Sequence, residues 1–210
     1  VKVTLVEMES HILPFEDDEI AAILEKSFRQ SKIDVLTNTG AVSLKKTDKA
    51  VEVTLQSRDA KQQIVEAEKA LCVFGRTPNT EDIGLDGIGL KTEKGFIPVG
   101  DYYETSVKGI FAIGDVVATP LLAHVASKEG EIAVEYIAGH KPQPRIDLDA
   151  IPSAIYCEPQ VAGFGLRESQ AKEKKIPYKR SVFPYQGIGK AVAVGRPEGV
   201  AKLLFDPQTQ

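Results

Sequence analysis

The 210-residue sequence has only two cysteines, no long apolar run and no excess of basic residues. Cys72 and Cys157 are only two cysteines and do not have the spacing of a disulfide framework, which indicates a reducing, cytoplasmic compartment. The longest apolar runs, such as GIFAIG and IAAIL, are far shorter than the roughly 20 residues that cross a bilayer. The 26 basic residues are outnumbered by 30 acidic ones, for a formal charge of -4, which disfavours nucleic acid as a partner.

The residues that are present predict a folded α/β protein. Hydrophobic residues make up 42% and charged residues 27% of the chain, as in ordinary globular domains. Residues 1–7 are typical of a buried strand, residues 16–30 of an amphipathic helix, and residues 33–37 of a second strand. A strand, a helix and a strand within about 37 residues predict a parallel βαβ unit.

The rest of the chain predicts further elements of both kinds. Alternating residues around 51–55 indicate antiparallel hairpins, and the apolar runs 70–75 and 109–114 indicate short buried strands. A helix is predicted with Thr119 as its cap, Pro120 in its first position and Gly139 at its end. Beyond the proline-rich stretch near residue 148, strands are predicted around a helix over 166–175.

Glu7 is the first candidate binding residue, because it stands at the end of a predicted strand of a nucleotide-binding unit. An acid there can accept hydrogen bonds from both hydroxyls of an adenosine ribose and would repel a 2′-phosphate. The alternative is an ordinary solvated glutamate at a strand end. The glycine-rich turn that accompanies such an acid would precede Val1.

Asp115 is the second candidate, in the run Gly109-Ile-Phe-Ala-Ile-Gly-Asp115. Such a strand would deliver an aspartate to the edge where open α/β sheets bind ligands, and Gly114 would let a bulky cofactor approach the backbone. The N-terminus of the next helix would add free N–H groups and a positive dipole end. The alternative is an aspartate that only closes a tight turn.

Several motifs in one order resemble the FAD- and NAD-dependent disulfide oxidoreductases. GIFAIGD followed by LLAHVASKEG is similar to the flavin-binding signature of that family, and FGRTPNT resembles its GRxPN turn. VTLVEMESHILPFED and IPSAIYCEPQVAGFG fit the same family, and the resemblance covers nearly the whole chain. Within the family, LAHVASKEG and Glu7 are most similar to the dihydrolipoamide dehydrogenases.

The resemblance implies FAD and NAD as cofactors and assigns roles to individual residues. Glu7 would hold the NAD ribose, Val42 would pack near the adenine, and Gly75 would let NAD approach its backbone. Arg76 would lie at a domain junction, and Asp115 would bind the ribitol or pyrophosphate side of FAD. The start of the following helix would line the flavin with Leu121, Leu122, Ala123 and His124. His124 is given no acid–base role, because a histidine in a first helical turn more often packs or caps.

The redox and proton-transfer groups of the family are not matched by this chain. The family uses two cysteines close together in sequence, whereas Cys72 is interpreted as a small core residue and Cys157 as a strand residue. His11, His124 and His140 do not match the family's catalytic motif. No catalytic residue is therefore assigned, and we expect the chain alone to be inactive.

The expected fold is a partial FAD/NAD-binding Rossmann-like α/β structure followed by the start of an α+β dimerisation domain. The predicted divisions are 1–77 for the end of an NAD domain, 78–147 for a central FAD-contacting domain and 148–210 for the dimer interface. Both ends are expected to be cut inside a larger structure. The complete protein would be a homodimer that oxidises dihydrolipoyl groups on the subunits of 2-oxo acid dehydrogenase complexes. The alternatives are a mercuric reductase, a soluble transhydrogenase or a non-catalytic fragment.

Overall fold

The computed structural model describes residues 1–209 as two compact units. One unit combines residues 1–72 with the residues from 152 onward, and the other is Val73–Ile151. The predicted divisions at 77 and 147 stay a prediction. No helix within residues 1–209 is both long enough and apolar enough to span a membrane.

The first unit begins with the predicted βαβ arrangement. Strand β1 (Val3–Val6) pairs in parallel with β2 (Ile33–Leu36), and helix α1 (Asp18–Gln30) connects them. Asp17 caps α1, because its Oδ1 accepts a hydrogen bond of 3.1 Å from the N–H of Glu19. The prediction of strand, helix and strand is confirmed.

The core of this unit lies where α1 and β2 pack together. Leu24 of α1 and Val35 of β2 are buried with Ile12 and Val161 in one apolar cluster. The prediction that β1 is a buried strand is wrong, since its residues are half-buried or exposed. The physical reason is that β1 pairs with a single strand among residues 1–209, so its other edge and part of its faces are uncovered.

Three antiparallel strands follow: β3 (Thr39–Lys46), β4 (Val51–Ser57) and β5 (Gln62–Ala67). They confirm the predicted hairpins. The pairing of β3 with β4 shifts register between Ala41 and Ser43, so the intervening Val42 lies at a bulge.

The run Ala70–Gly75 is not the predicted buried strand. It has no regular secondary structure, and Leu71, Val73 and Phe74 are at least three-quarters exposed. Cys72 is also exposed, so its interpretation as a core residue is wrong. An apolar run becomes a central strand only when neighbours pair with both its edges, and no strand among residues 1–209 pairs with this one.

The second unit consists mostly of loops and short turns around helix α2 (Ala123–Ile137). The predicted strand at Gly109–Gly114 is absent: Phe111 forms one isolated bridge with Glu104, and a single 3-10 turn follows at Gly114–Val116. Ala112 is nevertheless buried, with Ile97 and Val117. The apolar pattern therefore identified a core segment but not its conformation.

Helix α2 begins later than the sequence predicts. Leu122 is its cap residue and no side chain caps the helix, so Thr119 as a cap and Pro120 as the first helical residue are both wrong. The N–H of Leu122 donates to the carbonyl of Pro120 at 2.8 Å, which forms a tight turn before the helix. Gly139 follows the helix with φ of +85°, as predicted for a left-handed terminating residue.

The chain then returns to the first unit in two antiparallel pairs of strands and two short helices. The elements are β6 (Ser153–Ile155), β7 (Val161–Gly163), α3 (Glu168–Glu173), β8 (Lys179–Pro184), α4 (Gly189–Ala193) and β9 (Val200–Phe205). Strand β6 pairs with β7, and β8 pairs with β9. Strands around a helix are confirmed here, although Cys157 lies in a bend rather than in a strand.

Candidate cofactor-binding site

Asp115 lies in the tight turn that follows the buried segment around Ala112. Gly114 begins this turn with φ of +73°, a conformation that favours glycine. Its N–H donates to Glu129 Oε2 at 2.7 Å. The Asp115 side chain is 47% exposed, so its carboxylate faces solvent rather than the core.

Arg76 joins Asp115 to the start of α2. Its Nη1 lies 2.6 Å from Asp115 Oδ2, and its Nη2 donates to the carbonyl oxygen of Leu121. The guanidinium is itself 59% exposed, so solvent screens this ion pair. Arg76, Asp115 and Leu121 come from three segments, and the structure brings these three predicted residues together.

The N-terminus of α2 presents backbone donors without a side-chain cap. No acidic residue occupies its first turn, and within the described part of the chain the cap position has no side-chain hydrogen bond to the helix. Leu121 and Leu122 are half-buried before it, whereas Ala123 and His124 are exposed. Such an end favours an anion or an electron-rich group.

Gly75 has φ of +103°, and among residues 1–209, its two chain neighbours aside, no heavy atom lies within 4 Å of the place where a Cβ would stand. Its conformation, rather than crowding, therefore requires glycine, and its backbone is open to a close approach.

Glu7 and Val42 lie in the first unit. The backbone of Glu7 is fixed after β1, because its N–H donates to Leu36 and its carbonyl accepts from Thr39, both at 2.9 Å. Its Oε1 accepts from the N–H of Glu9 at 2.9 Å. Val42 is 55% exposed at the bulge of β3.

The two sets of residues fit the cofactors that the sequence implies. Near Asp115, a half-exposed carboxylate and uncapped helix N–H groups offer an acceptor and donors to FAD. At Glu7, Oε2 has no protein partner within the described part of the chain. It can accept from a ribose hydroxyl of NAD.

Glu129 is a residue that the sequence reasoning missed. It is fully buried in α2, although a lone carboxylate is rarely found in a core. A signal was present, since Glu129 stands four residues after Val125 and three before Ile132, on the apolar face of the helix. Helical spacing thus identifies it as an inward-facing acid.

A second missed group is a cluster of charges that surrounds Lys202 in the first unit. Lys202 Nζ lies 3.0 Å from Asp17, 3.2 Å from Glu19 and 2.6 Å from Glu168, and its side chain is only 7% exposed. Burial lowers the pKa of Lys202, but the hydrogen bonds to these carboxylates outweigh it and raise that pKa. Hydrogen bonds from Lys202, then Tyr178 and Lys172, hold the pKa of Glu168 far below its ordinary value.

The two thiols differ in their surroundings. Cys157 is partly buried, its Sγ lies 3.0 Å from the carbonyl of Pro159, and burial raises the pKa of its thiol. Cys72 is exposed, and both cysteines are free. Within residues 1–209, no group of three His, Cys, Asp or Glu side chains is arranged to hold a metal ion.

Comparisons with known proteins match the whole chain. The model of the pyridine nucleotide-disulphide oxidoreductase family matches residues 1–130, and the model of that family's dimerisation domain matches residues 151–210. Dihydrolipoyl dehydrogenase of Rhizobium etli is 36% identical over 209 residues, covering 100% of this chain and 44% of the relative. The same enzyme of Thermus scotoductus is 39% identical over 210 residues, covering 99% of this chain and 45% of the relative.

Solved structures agree in fold. LpdA from Mycobacterium tuberculosis is 28% identical with a TM-score of 0.88, covering all of this chain and 45% of that one. The flavoprotein disulfide reductase RclA from Escherichia coli has the same TM-score at 24% identity, with 100% and 47% covered, and shares the fold alone. The chain therefore spans less than half the length of these proteins. Since one family model covers most of the sequence, the chain belongs to the pyridine nucleotide-disulphide oxidoreductase family.

Proposed function

We propose that this chain is the cofactor-binding and dimerising part of an NAD-dependent dihydrolipoyl dehydrogenase. In the complete protein, a dihydrolipoyl group would lose two electrons and two protons and close its disulfide. A hydride equivalent would reach NAD, and one proton would be released. Bound FAD supplies the two-electron carrier between thiols and nicotinamide.

The observation that carries the proposal is the contact of Arg76 with both Asp115 and the carbonyl of Leu121. It holds a half-exposed carboxylate beside the uncapped start of α2. In the proposed role, Asp115 accepts hydrogen bonds from cofactor hydroxyls, and the first turn of α2 stabilises negative charge. Leu121, Leu122, Ala123 and His124 would line the same side of the cofactor.

Glu7 would select NAD over its 2′-phosphorylated form. Its backbone is held at the end of β1 by Leu36 and Thr39, which fixes the direction from which its carboxylate meets a ribose. Negative charge there repels a phosphate. Val42 would pack near the adenine of NAD, and Gly75 would let NAD approach its backbone.

The proposal includes a homodimer, a lipoyl-bearing partner and a reducing, cytoplasmic compartment. The family's dimerisation domain, matched by residues 151–210, supports the homodimer. The names of the curated relatives support a dihydrolipoyl substrate. Two free cysteines, one of them exposed, are consistent with a reducing compartment.

The test uses the protein as its gene encodes it, purified with its flavin and mixed without oxygen with dihydrolipoamide and either NAD or NADP. We expect reduction of NAD at the expense of dihydrolipoamide, and a clear preference for NAD. A preparation that binds no flavin, or that reduces NADP as well as NAD, would contradict the proposal.

A further inference from the structure

We propose that Glu129 is a positioning residue that sets the orientation of Asp115 for FAD. The inference rests on the proposed function of Asp115 and names a residue that acts through another one. Glu129 has no exposed surface, so it acts through the protein rather than by touching the cofactor.

Burying the carboxylate of Glu129 costs desolvation free energy, so a contribution to stability does not explain why a glutamate stands at this position. Oε2 accepts one hydrogen bond, from Gly114, whereas Oε1 is buried and has no partner within residues 1–209. Around it on α2, Val125, Ile132 and Ala133 are also buried. An apolar side chain of similar volume would avoid the desolvation of a charge in this place.

The hydrogen bond that Glu129 accepts comes from the residue directly before Asp115. Gly114 has φ of +73°, and its N–H points to Glu129 Oε2 at 2.7 Å. A backbone N–H held by a carboxylate makes a strong, directional bond. Because this bond fixes the orientation of the Gly114 peptide, it restricts the directions in which the Asp115 side chain can point.

The residues next to Glu129 on α2 pack closely against the turn that contains Gly114. A Cβ on Gly114 would lie 3.3 Å from Ala126 Cβ, and a Cβ on Gly130 would lie 3.1 Å from Ile113 Cδ1. Both distances are tighter than ordinary contact. The helix face formed by Ala126, Glu129 and Gly130 thus packs closely against residues 113 and 114. The Glu129 carboxylate adds a hydrogen bond to this contact.

The experiment compares variants in the protein as its gene encodes it, stripped of flavin and titrated with FAD. Glu129→Gln keeps an oxygen that can accept from Gly114, whereas Glu129→Met has a similar length and no comparable acceptor. Glu131→Met is the matched control, since Glu131 is exposed on the same helix and forms an exposed ion pair with Lys128. The readouts are the FAD dissociation constant, the spectrum of bound flavin and the unfolding midpoint without flavin.

We expect Glu129→Met to weaken FAD binding by roughly tenfold or more, the worth of one such hydrogen bond. Glu129→Gln and Glu131→Met should bind FAD within about twofold of the unchanged protein. The Met variant should also alter the spectrum of the flavin that it still binds. If Glu129→Met does not fold, Glu129→Asp provides the test, since it keeps the charge but withdraws the acceptor from Gly114.

Unchanged FAD binding in Glu129→Met, or in Glu129→Asp where that variant is used, would overturn the inference. Equal weakening in Gln and Met would also overturn it, because the acceptor for Gly114 would then not be what matters. Failure of the proposed function looks different. In that case the unchanged protein would bind no FAD, or Asp115→Ala would bind it as tightly as the unchanged protein.

Discussion

Charged side chains serve different purposes in the two units of this chain. In the first unit, Lys202 is 7% exposed and lies within 3.2 Å of three carboxylates, which come from the start of α1 and from α3. In the second, Asp115 and Arg76 are both about half exposed and form a single ion pair. A buried, saturated cluster holds chain segments together, whereas an exposed and incompletely paired carboxylate is free to bind something else.

A second buried pair strengthens this view of the first unit. Glu16 Oε2 lies 2.7 Å from Arg167 Nη2, and Glu16 Oε1 accepts from Ser153 at 2.8 Å. A Cβ on Gly163 would stand 2.6 Å from the same guanidinium nitrogen, so only glycine leaves room for the pair. Residues more than a hundred positions apart are thereby joined without an exposed charge.

Removing Lys202 should have the largest effect on stability. In Lys202→Met, the buried Asp17 would lose the counter-charge that Lys202 supplies, and Glu168 would be left with the more exposed Lys172 and Arg180 as counter-charges. We expect the unfolding midpoint to fall by roughly 5 to 10 °C, measured by thermal unfolding followed by circular dichroism. Lys179→Met is the control, since Lys179 is exposed on the adjacent strand β8. A midpoint that moves no more than in the control would remove the distinction between the two units.

Removing Asp115 should instead affect binding. Asp115→Ala is expected to lose most of its FAD during purification, while its unfolding midpoint without flavin shifts by no more than about 2 °C, because exposed ion pairs contribute little to stability. Flavin absorbance per protein chain provides the measurement. Asp101→Ala, which breaks the exposed pair with Arg145, is the control. A variant that purifies with full flavin would argue against the assigned role.

Glu7 tests the comparison from the other side, because it is the binding residue proposed for the first unit. Glu7→Ala should raise the KM for NAD by roughly fivefold to tenfold with little change in flavin content. The same variant should use NADP better than before, since the charge that repels its phosphate is gone. Steady-state kinetics with both nucleotides test this, and an unchanged NAD dependence would refute the assignment.

The smallest expected effect is a change in pH dependence. The pKa of Glu168 is lowered in the folded protein, so its stabilising effect is present above its unfolded pKa and is lost as pH falls below about 4.3. The unchanged protein should therefore take up about one more proton on unfolding in acid than Glu168→Gln does. Urea unfolding at a series of pH values measures this difference. Parallel curves for the two proteins would show that Glu168 is not held by Lys202.

Local sequence patterns predicted most helices and hairpins correctly, but they did not predict which apolar runs have strand partners. The βαβ unit, the hairpins and Gly139 were confirmed because hydrophobic period and turn chemistry act over a few residues. The runs 70–75 and 109–114 were wrongly predicted as strands. An apolar run is a strand only if other strands pair with it, and the run itself carries no information about those partners.

The sequence by itself determined the order of the motifs, and thereby the family, together with the position of Glu7 after β1 and of Asp115 after an apolar segment. Only the tertiary structure decided that Arg76 reaches Asp115 across 39 positions and that Lys202 reaches Asp17 across 185. It also decided that Glu129 is bonded to Gly114. Contacts of this kind depend on how packed elements meet in space, and neither helical spacing nor strand alternation encodes that distance.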